Sequence, residues 1–257
     1  MASTGNERFN EEAANWDKNP SVQEATYLAF NTLKPIIQTL AERKKSVSGN
    51  GLDVLEVGCG TGLLTLRVAP LVHEIVAVDP AHGMVEALKA KLNTTWKDEN
   101  VTDGPRSSVK NNVIPVCRLL EDPEDSALPP HDGNNPTGRR RKFDLIISHL
   151  VMHHVPDLRA FLGTLLGCLS PGGRVALTDF EDFGTEAIKF HPPAKLEGVE
   201  RHGIPSQWME DLMKQVGFQD VKVSVAWTLT KSVHDWEGNK PGDTMEFPFL
   251  VCEGVKK

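Results

Sequence analysis

Residues 52–57 form a short, apolar, β-prone run, Leu52, Asp53, Val54, Leu55, Glu56 and Val57, with an acid near its end. Gly58, Gly60 and Gly62 follow at every second position around Cys59 and Thr61, and the next residues, Leu63 to Ala69, read as a helix. A strand that turns through glycines into a helix gathers backbone N–H groups and the positive end of a helix dipole at one spot. Glycine also lets the main chain approach a ligand without Cβ collisions. This stretch constrains the fold more than any other, because it calls for a βα unit whose glycines serve either a tight structural turn or a ligand at the carboxyl end of the strand.

Two common ligands fit the turn poorly. The dinucleotide fingerprint wants a third glycine one position later, where Leu63 stands. A phosphate-binding Walker loop wants Gly-Lys-Ser/Thr, and Gly62 is followed by two leucines. The run Glu56-x-Gly58-x-Gly60-x-Gly62 instead resembles the first motif of the class I S-adenosylmethionine (SAM) methyltransferases. That resemblance extends over roughly residues 9–178 and looks most like the small-molecule branch that includes the ubiquinone- and menaquinone-type enzymes.

The rest of the chain supplies strands and helices in alternation. Residues 75–79 are a second buried strand ending in Asp79, about twenty positions beyond the glycine turn, where βαβ nucleotide sites place an acid on ribose hydroxyls. A carboxylate there can accept from both hydroxyls, and Asp79 can equally cap the following helix. Residues 113–120 are a third strand and residues 143–148 a fourth. Leu158, Phe161, Leu162, Leu165, Leu166 and Leu169 then recur at helical spacing, up to a break at Pro171, Gly172 and Gly173. Residues 174–179 are a fifth strand. Ser206 caps a helix that Gly217 ends. The alternation of Val221, Val223, Val225, Trp227 and Leu229 with polar neighbours marks a sixth strand with one protected face, and residues 245–252 form a seventh. The expected architecture is α/β: a Rossmann-like, seven-stranded, mostly parallel sheet with helices on both faces and the last strand antiparallel, all in one domain covering 1–257.

Three segments depart from this rhythm. Residues 1–45 are expected to be an N-terminal helical lid or cap, loose at its start, with Pro35 dividing its helix and a polar linker over 42–51. Phe9 and Trp16 lie in a hydrophilic stretch and must cover something, either the side of the domain or the cofactor. Residues 93–112 and 129–142 read as polar insertions, the second ending in Arg139, Arg140, Arg141 and Lys142, a run read as a solvated loop.

The totals exclude several function classes. A formal charge of −7 argues against a nucleic-acid surface. Four cysteines, Cys59, Cys117, Cys168 and Cys252, stand far apart with no Cys-x-x-Cys pair, which favours a reducing compartment over zinc or redox motifs. No apolar run approaches the roughly 20 residues that span a bilayer, and the first twenty residues lack a signal-peptide core. A cytoplasmic protein with a small-molecule partner is expected, and the sequence leaves monomer and homodimer open.

The resemblance implies SAM as cofactor, with Gly58, Cys59, Gly60, Thr61 and Gly62 under its methionine and ribose parts and Glu56 behind them. It places Asp79 on the ribose, Pro80 and Met84 against the adenine, and Glu121 or Asp122 on the adenine amino group. It puts Ser148 and His149 at the methionine end, with Trp16 as part of the cover. Methyl transfer from a sulfonium needs a base only where the acceptor keeps its proton, and His153 and His154 are the candidates because imidazole titrates near neutrality. His191 and His202 are weaker candidates for acceptor contact. No metal site is expected, since Asp179 and Asp182 lack an evident third ligand. A catalytically silent SAM-binding scaffold and an NAD-dependent oxidoreductase are the alternatives.

Overall fold

The computed structural model of the protein describes residues 6–93, 111–133 and 135–257. Most of the insertion expected at 93–112 therefore lies outside the described residues, as do the first five positions. Seven strands form one sheet in the order β3-β2-β1-β4-β5-β7-β6. They are β1 (Asp53–Val57), β2 (Glu74–Asp79), β3 (Val113–Cys117), β4 (Phe143–His149), β5 (Leu169–Phe180), β6 (Gln219–Ser232) and β7 (Thr244–Val255). The pairs β1–β2, β1–β4, β2–β3 and β4–β5 are parallel, whereas β7 runs antiparallel to both β5 and β6. The order reverses at β1, so the loops after β1 and β4 face each other across the switch point where such sheets bind ligands.

Helices cover both faces because the inner strands bury both sets of alternating side chains. Leu55, Val57, Val76, Val78 and Leu177 point to one face, where they meet Leu158, Leu162 and Leu165 of α5 (Leu158–Cys168) and Met209 and Met213 of α6 (Ser206–Val216). Val54, Ile75, Ala77, Leu145 and Ile147 point to the other. There they meet Phe30, Leu33 and Ile37 of α2 (Pro20–Ser48), Leu64 and Leu66 of α3 (Leu63–Val68) and Leu88 of α4 (His82–Asn93). Glu56 and Asp79 share the polarity of this second set, so two acids enter the sheet's buried interior beside α3.

Several local expectations change. Residues 6–16 form a helix, α1 (Asn6–Trp16), seated against α4, while the start expected to be loose lies outside the described residues. Pro35 does not divide α2, which runs unbroken through it. Both Pro35 and Asn31 are exposed, so water can satisfy the carbonyl that the proline leaves without a partner. The predicted linker over 42–51 is mostly the end of α2, which stops at Gly49, where φ is +73° and the N–H reaches the Lys45 carbonyl. Lys44 in that last turn pairs with Asp144 at 2.6 Å, and Asp144 also accepts from the Asp53 N–H, which ties the helix to the start of β1 and β4.

The strands differ in extent. β3 ends at Cys117, and β5 begins at Leu169 and carries Pro171, Gly172 and Gly173 within it. In β6 an irregularity between Val225 and Trp227 turns Val225 outward.

The basic run is a staple rather than a solvated loop. Arg140 donates to the Leu128 and Pro136 carbonyls, Arg141 pairs with Glu74 on β2, and Lys142 pairs with Glu124. Only Arg139 of the four is exposed.

Leu162 is fully buried between α5 and the sheet. Leu162→Ala is expected to lower stability by about 2–5 kcal/mol in urea unfolding, the cost of a core cavity. A loss under about 1 kcal/mol would contradict the packing described.

Candidate active site

The glycine turn is held open from two sides. Gly58, Gly60 and Gly62 have φ of +78°, +53° and +83°, a region that L side chains rarely enter. A Cβ on Gly58 would stand 2.1 Å from Val151 Cγ2, so the loops after β1 and β4 touch at this glycine, whereas nothing lies within 4 Å of a Cβ on Gly60. The N–H groups of Gly58 and Cys59 both point to the Val78 carbonyl at 2.8 and 3.1 Å.

Asp79 does the rest of the fastening. One carboxylate oxygen accepts from the Gly60 N–H at 2.9 Å and the other from the Ala81 N–H at 2.8 Å. Asp79 thus fastens the glycine turn and the approach to α4 with one carboxylate, still with acceptor capacity. Burial raises the Asp79 carboxyl above its ordinary range, against the lowering effect of those two N–H groups. Helix α3 has only six residues, so the N–H groups of the turn matter more here than the helix dipole invoked from sequence.

Glu56 lies beneath the turn. It is 2% exposed and accepts from the Thr65 hydroxyl at 2.5 Å. Burial pushes its carboxyl up to about 8; the Thr65 hydroxyl opposes this and the charge of Asp79 adds to it. Cys59 is buried in the same place, and its thiol is pushed well above its ordinary range, first by burial and then by Asp79 and Glu56.

The N-terminal segment straps this rim. Thr61 donates to Asp17 at 2.5 Å, and Lys91 reaches both Asp17 and the Thr61 carbonyl. Asn10 accepts from the Gly83 N–H. Trp16 packs edge-on against Phe9, and both lean on Ala13, Ala81 and Met84. At the far side of α1, Arg8 donates to the Lys195 and Glu197 carbonyls and Glu12 pairs with Lys195. Trp16 and Met84 are brought together; Pro80 stands beside them, half-buried.

After β3, Glu121 and Asp122 are exposed and line an open hollow of about 470 Å³ with Arg118, Leu119, Glu124, Asp125 and Ser126. Asp125 is held by Arg118 at 2.7 Å and Glu124 by Lys142, while Asp122 caps the Glu124 N–H.

After β4 the chain carries Ser148, buried with its hydroxyl lacking a partner, and His149, whose Nδ1 meets the Thr178 hydroxyl at 2.9 Å. The His149 ring faces Trp227 and Phe249, and burial pushes it down to about 4. His153 is 1% exposed and its Nδ1 lies 2.8 Å from Asp179 Oδ1, while its backbone N–H donates to the other oxygen. Asp179, fully buried at the end of β5, therefore fixes the proton on Nδ1 and leaves Nε2 as a lone pair with no partner.

His154 is held differently. Its Nδ1 lies 2.6 Å from the Gly198 carbonyl, and burial pushes its pKa down to about 3, with His153 adding to the fall. Burial also lowers His191, whose ring stands 5.0 Å from that of His153 and 6.0 Å from that of His154. His202, by contrast, gains no described partner. Lys231 was not foreseen: it lies over the Phe190 ring at 4.2 Å, donates to the Phe190 carbonyl, and burial drops its pKa to about 8. Asp179 was visible as an acid after the fifth strand, but its pairing with His153 depends on β4 and β5 being neighbours.

The switch point of this α/β sheet thus carries a glycine turn, two buried acids and a strap over them, the features of a candidate nucleotide-type cofactor site. The methyltransferase domain family matches residues 26–223, and the chain belongs to that family. An uncharacterized methyltransferase of Schizosaccharomyces pombe is 27% identical over 178 residues, 68% of this chain and 56% of that protein. A ubiquinone biosynthesis O-methyltransferase of Bradyrhizobium is 28% identical over 129 residues, 50% of this chain and 40% of that protein. The chain thus spans about half the length, or less, of these relatives. Among solved structures, the trans-methyltransferase CalH in complex with SAH superposes with a TM-score of 0.59 at 17% identity, covering 90% of this chain and 58% of that one, a likeness of fold.

The raised Glu56 pKa has a measurable sign. The folded state holds this proton between pH 4.5 and about 8 while the unfolded state releases it, so stability falls as pH rises through that window. The buried histidines act the other way and only below pH 6.5. Glu56→Gln is therefore expected to flatten the fall in melting temperature between pH 6.5 and 8; an unchanged slope would contradict the buried, protonated state.

Proposed function

We propose that the chain transfers the methyl group of SAM to a small-molecule acceptor, through an oxygen, nitrogen or carbon atom of that acceptor. The observation that carries this reading is the meeting of Glu56 and Asp79, two buried acids, at an open glycine turn in a chain of the methyltransferase family. A cation placed beside them, a sulfonium or an α-ammonium, favours the ionised form that burial opposes.

The roles follow from position. Gly58, Cys59, Gly60, Thr61 and Gly62 underlie the methionine and ribose parts, with Glu56 behind the ammonium end. Asp79 takes the ribose hydroxyls on its remaining lone pairs while its other lone pairs keep the turn in shape. Pro80, Met84 and the strap residue Trp16 wall the adenine, and Glu121 or Asp122 meets its amino group from the open side. Ser148 and His149 border the methionine end.

Methyl transfer is an in-line displacement in which the leaving group departs as a neutral thioether. The protein's contribution is alignment and exclusion of water. Where the acceptor holds a proton, Nε2 of His153 takes it. The imidazolium that forms is stabilised by Asp179, as in other histidine–carboxylate pairs. His154, with its pKa near 3, serves to bound the acceptor site instead.

Among the described residues no helix is long and apolar enough to cross a membrane. The unpaired Cys59, Cys117, Cys168 and Cys252 support action in a reducing, cytoplasmic setting.

Calorimetry with S-adenosylhomocysteine tests the cofactor reading. Asp79→Asn is expected to weaken binding roughly ten- to a hundredfold, the loss of a charge-assisted pair of hydrogen bonds. His153→Ala is expected to leave that affinity within about twofold while abolishing label transfer from methyl-labelled SAM to metabolites of a cell extract. Undiminished affinity in Asp79→Asn defeats the ribose assignment, and undiminished transfer in His153→Ala defeats the base assignment. Binding with no transfer by the unaltered protein favours a silent scaffold.

A further inference from the structure

His153, His154 and His191 come from two separate segments, one after β4 and one after β5. One ring nitrogen from each lies within 4.8 Å of the other two. From this geometry we propose that the three imidazoles form a binding site for one divalent transition-metal ion of the imidazole-preferring kind, zinc or cobalt.

The arrangement of protons favours ligation. Nδ1 of His153 is committed to Asp179 and Nδ1 of His154 to the Gly198 carbonyl. Each of those rings therefore presents Nε2 as a lone pair. Metal-bound histidines characteristically donate their other nitrogen to a carboxylate or a backbone carbonyl in this way, which fixes the tautomer and raises ligand basicity. Nε2 of His153 and Nδ1 of His191 are both buried and have no hydrogen-bond partner. Two buried ring nitrogens without a hydrogen-bond partner are a costly arrangement for a protein, and a cation shared between the rings removes that cost.

The charge environment is compatible with such an ion. Fully buried Asp179 is hydrogen-bonded to His153, whereas Arg8 acts on His154, and Lys231 and Arg8 act on His191, in the direction that opposes a cation. Three protein nitrogens at the usual bond length of about 2.0–2.1 Å require mutual spacings of about 3.3 Å, so the cluster contracts on binding. Three histidines leave a fourth position open, to water or to a heteroatom donor. Nε2 of His153 is also the atom assigned to the acceptor's proton, so ion and proton transfer are alternative uses of one lone pair.

Cobalt supplies a readout that needs neither cofactor nor acceptor. Metal-free full-length protein is titrated with CoCl2 and followed by visible absorption. The expected result is one Co2+ per chain, with the intense visible bands of four- or five-coordinate cobalt, displaced by one equivalent of Zn2+. His154→Gln and His191→Ala are each expected to weaken binding at least tenfold. Asp179→Asn is expected to weaken it ten- to a hundredfold at unchanged stoichiometry. His73→Ala, which removes an exposed histidine elsewhere, is expected to bind as the parent does. Absence of the bands in the unaltered protein overturns the site whatever the variants do. Unchanged affinity in a folded His154→Gln/His191→Ala double variant overturns it as well. Neither outcome bears on cofactor binding, which the calorimetry above measures separately.

Discussion

The Asp79 carboxylate is the contact on which the functional rim depends. It stands at the end of β2 and reaches sideways to the Gly60 N–H and forward to the Ala81 N–H. It adds to the bonds from the Gly58 and Cys59 N–H groups to the Val78 carbonyl, so the turn after β1 is fastened to β2 at both its start and its middle. With it, three glycines at positive φ hold their backbone open at the switch point of the sheet. The arrangement places negative charge where water is scarce, and both Asp79 and Glu56 show the consequence as raised pKa values. Desolvated carboxylates gathered at one rim are a common feature of binding sites.

The remaining elements arrange themselves around that rim. Helix α1 reaches from α4 at Asn10 and Gly83 to the Lys195–Glu197 backbone at Arg8, so it crosses the space between the turn after β1 and the segment after β5. Segment 198–201 in turn clamps the histidine turn: the Glu200 and Arg201 N–H groups meet the His153 carbonyl, and Arg201 donates to the Met152 and Val155 carbonyls. Phe9 of α1 touches His154 edge-on at 5.4 Å. A strap, a clamp and the glycine turn thus enclose the histidines, which explains why burial dominates their pKa shifts.

The sheet was legible in the sequence because both of its signals are local. Val54, Leu55, Ile75, Val76, Ile146 and Ile147 form continuous apolar runs, the mark of strands buried on both faces, and the glycines punctuate the first turn. The antiparallel last strand was also foreseen and is present. Helix limits were less legible: Pro35 looks like a break, yet it sits on the exposed side of α2, where tertiary packing of Leu33 and Ile37 outweighs its intrinsic cost. Arg140, Arg141 and Lys142 looked solvated because their acceptors, carbonyls and acids of other segments, are remote in sequence. The same limit hid the histidine–carboxylate pair of the site. Asp179 and His153 are neighbours only because β4 and β5 pair, and His191 joins them from a stretch with no periodicity.

The central claim is that one rim of the sheet grips an adenosyl sulfonium between the glycine turn and the two acids. A crystal structure of the protein with S-adenosylhomocysteine bound tests it most directly. The account predicts the ribose hydroxyls on Asp79, the amino-acid tail across Gly58 to Gly62, and the sulfur facing the space beside His153. Ligand density anywhere else, or a glycine turn closed over by the protein's own side chains, would contradict it.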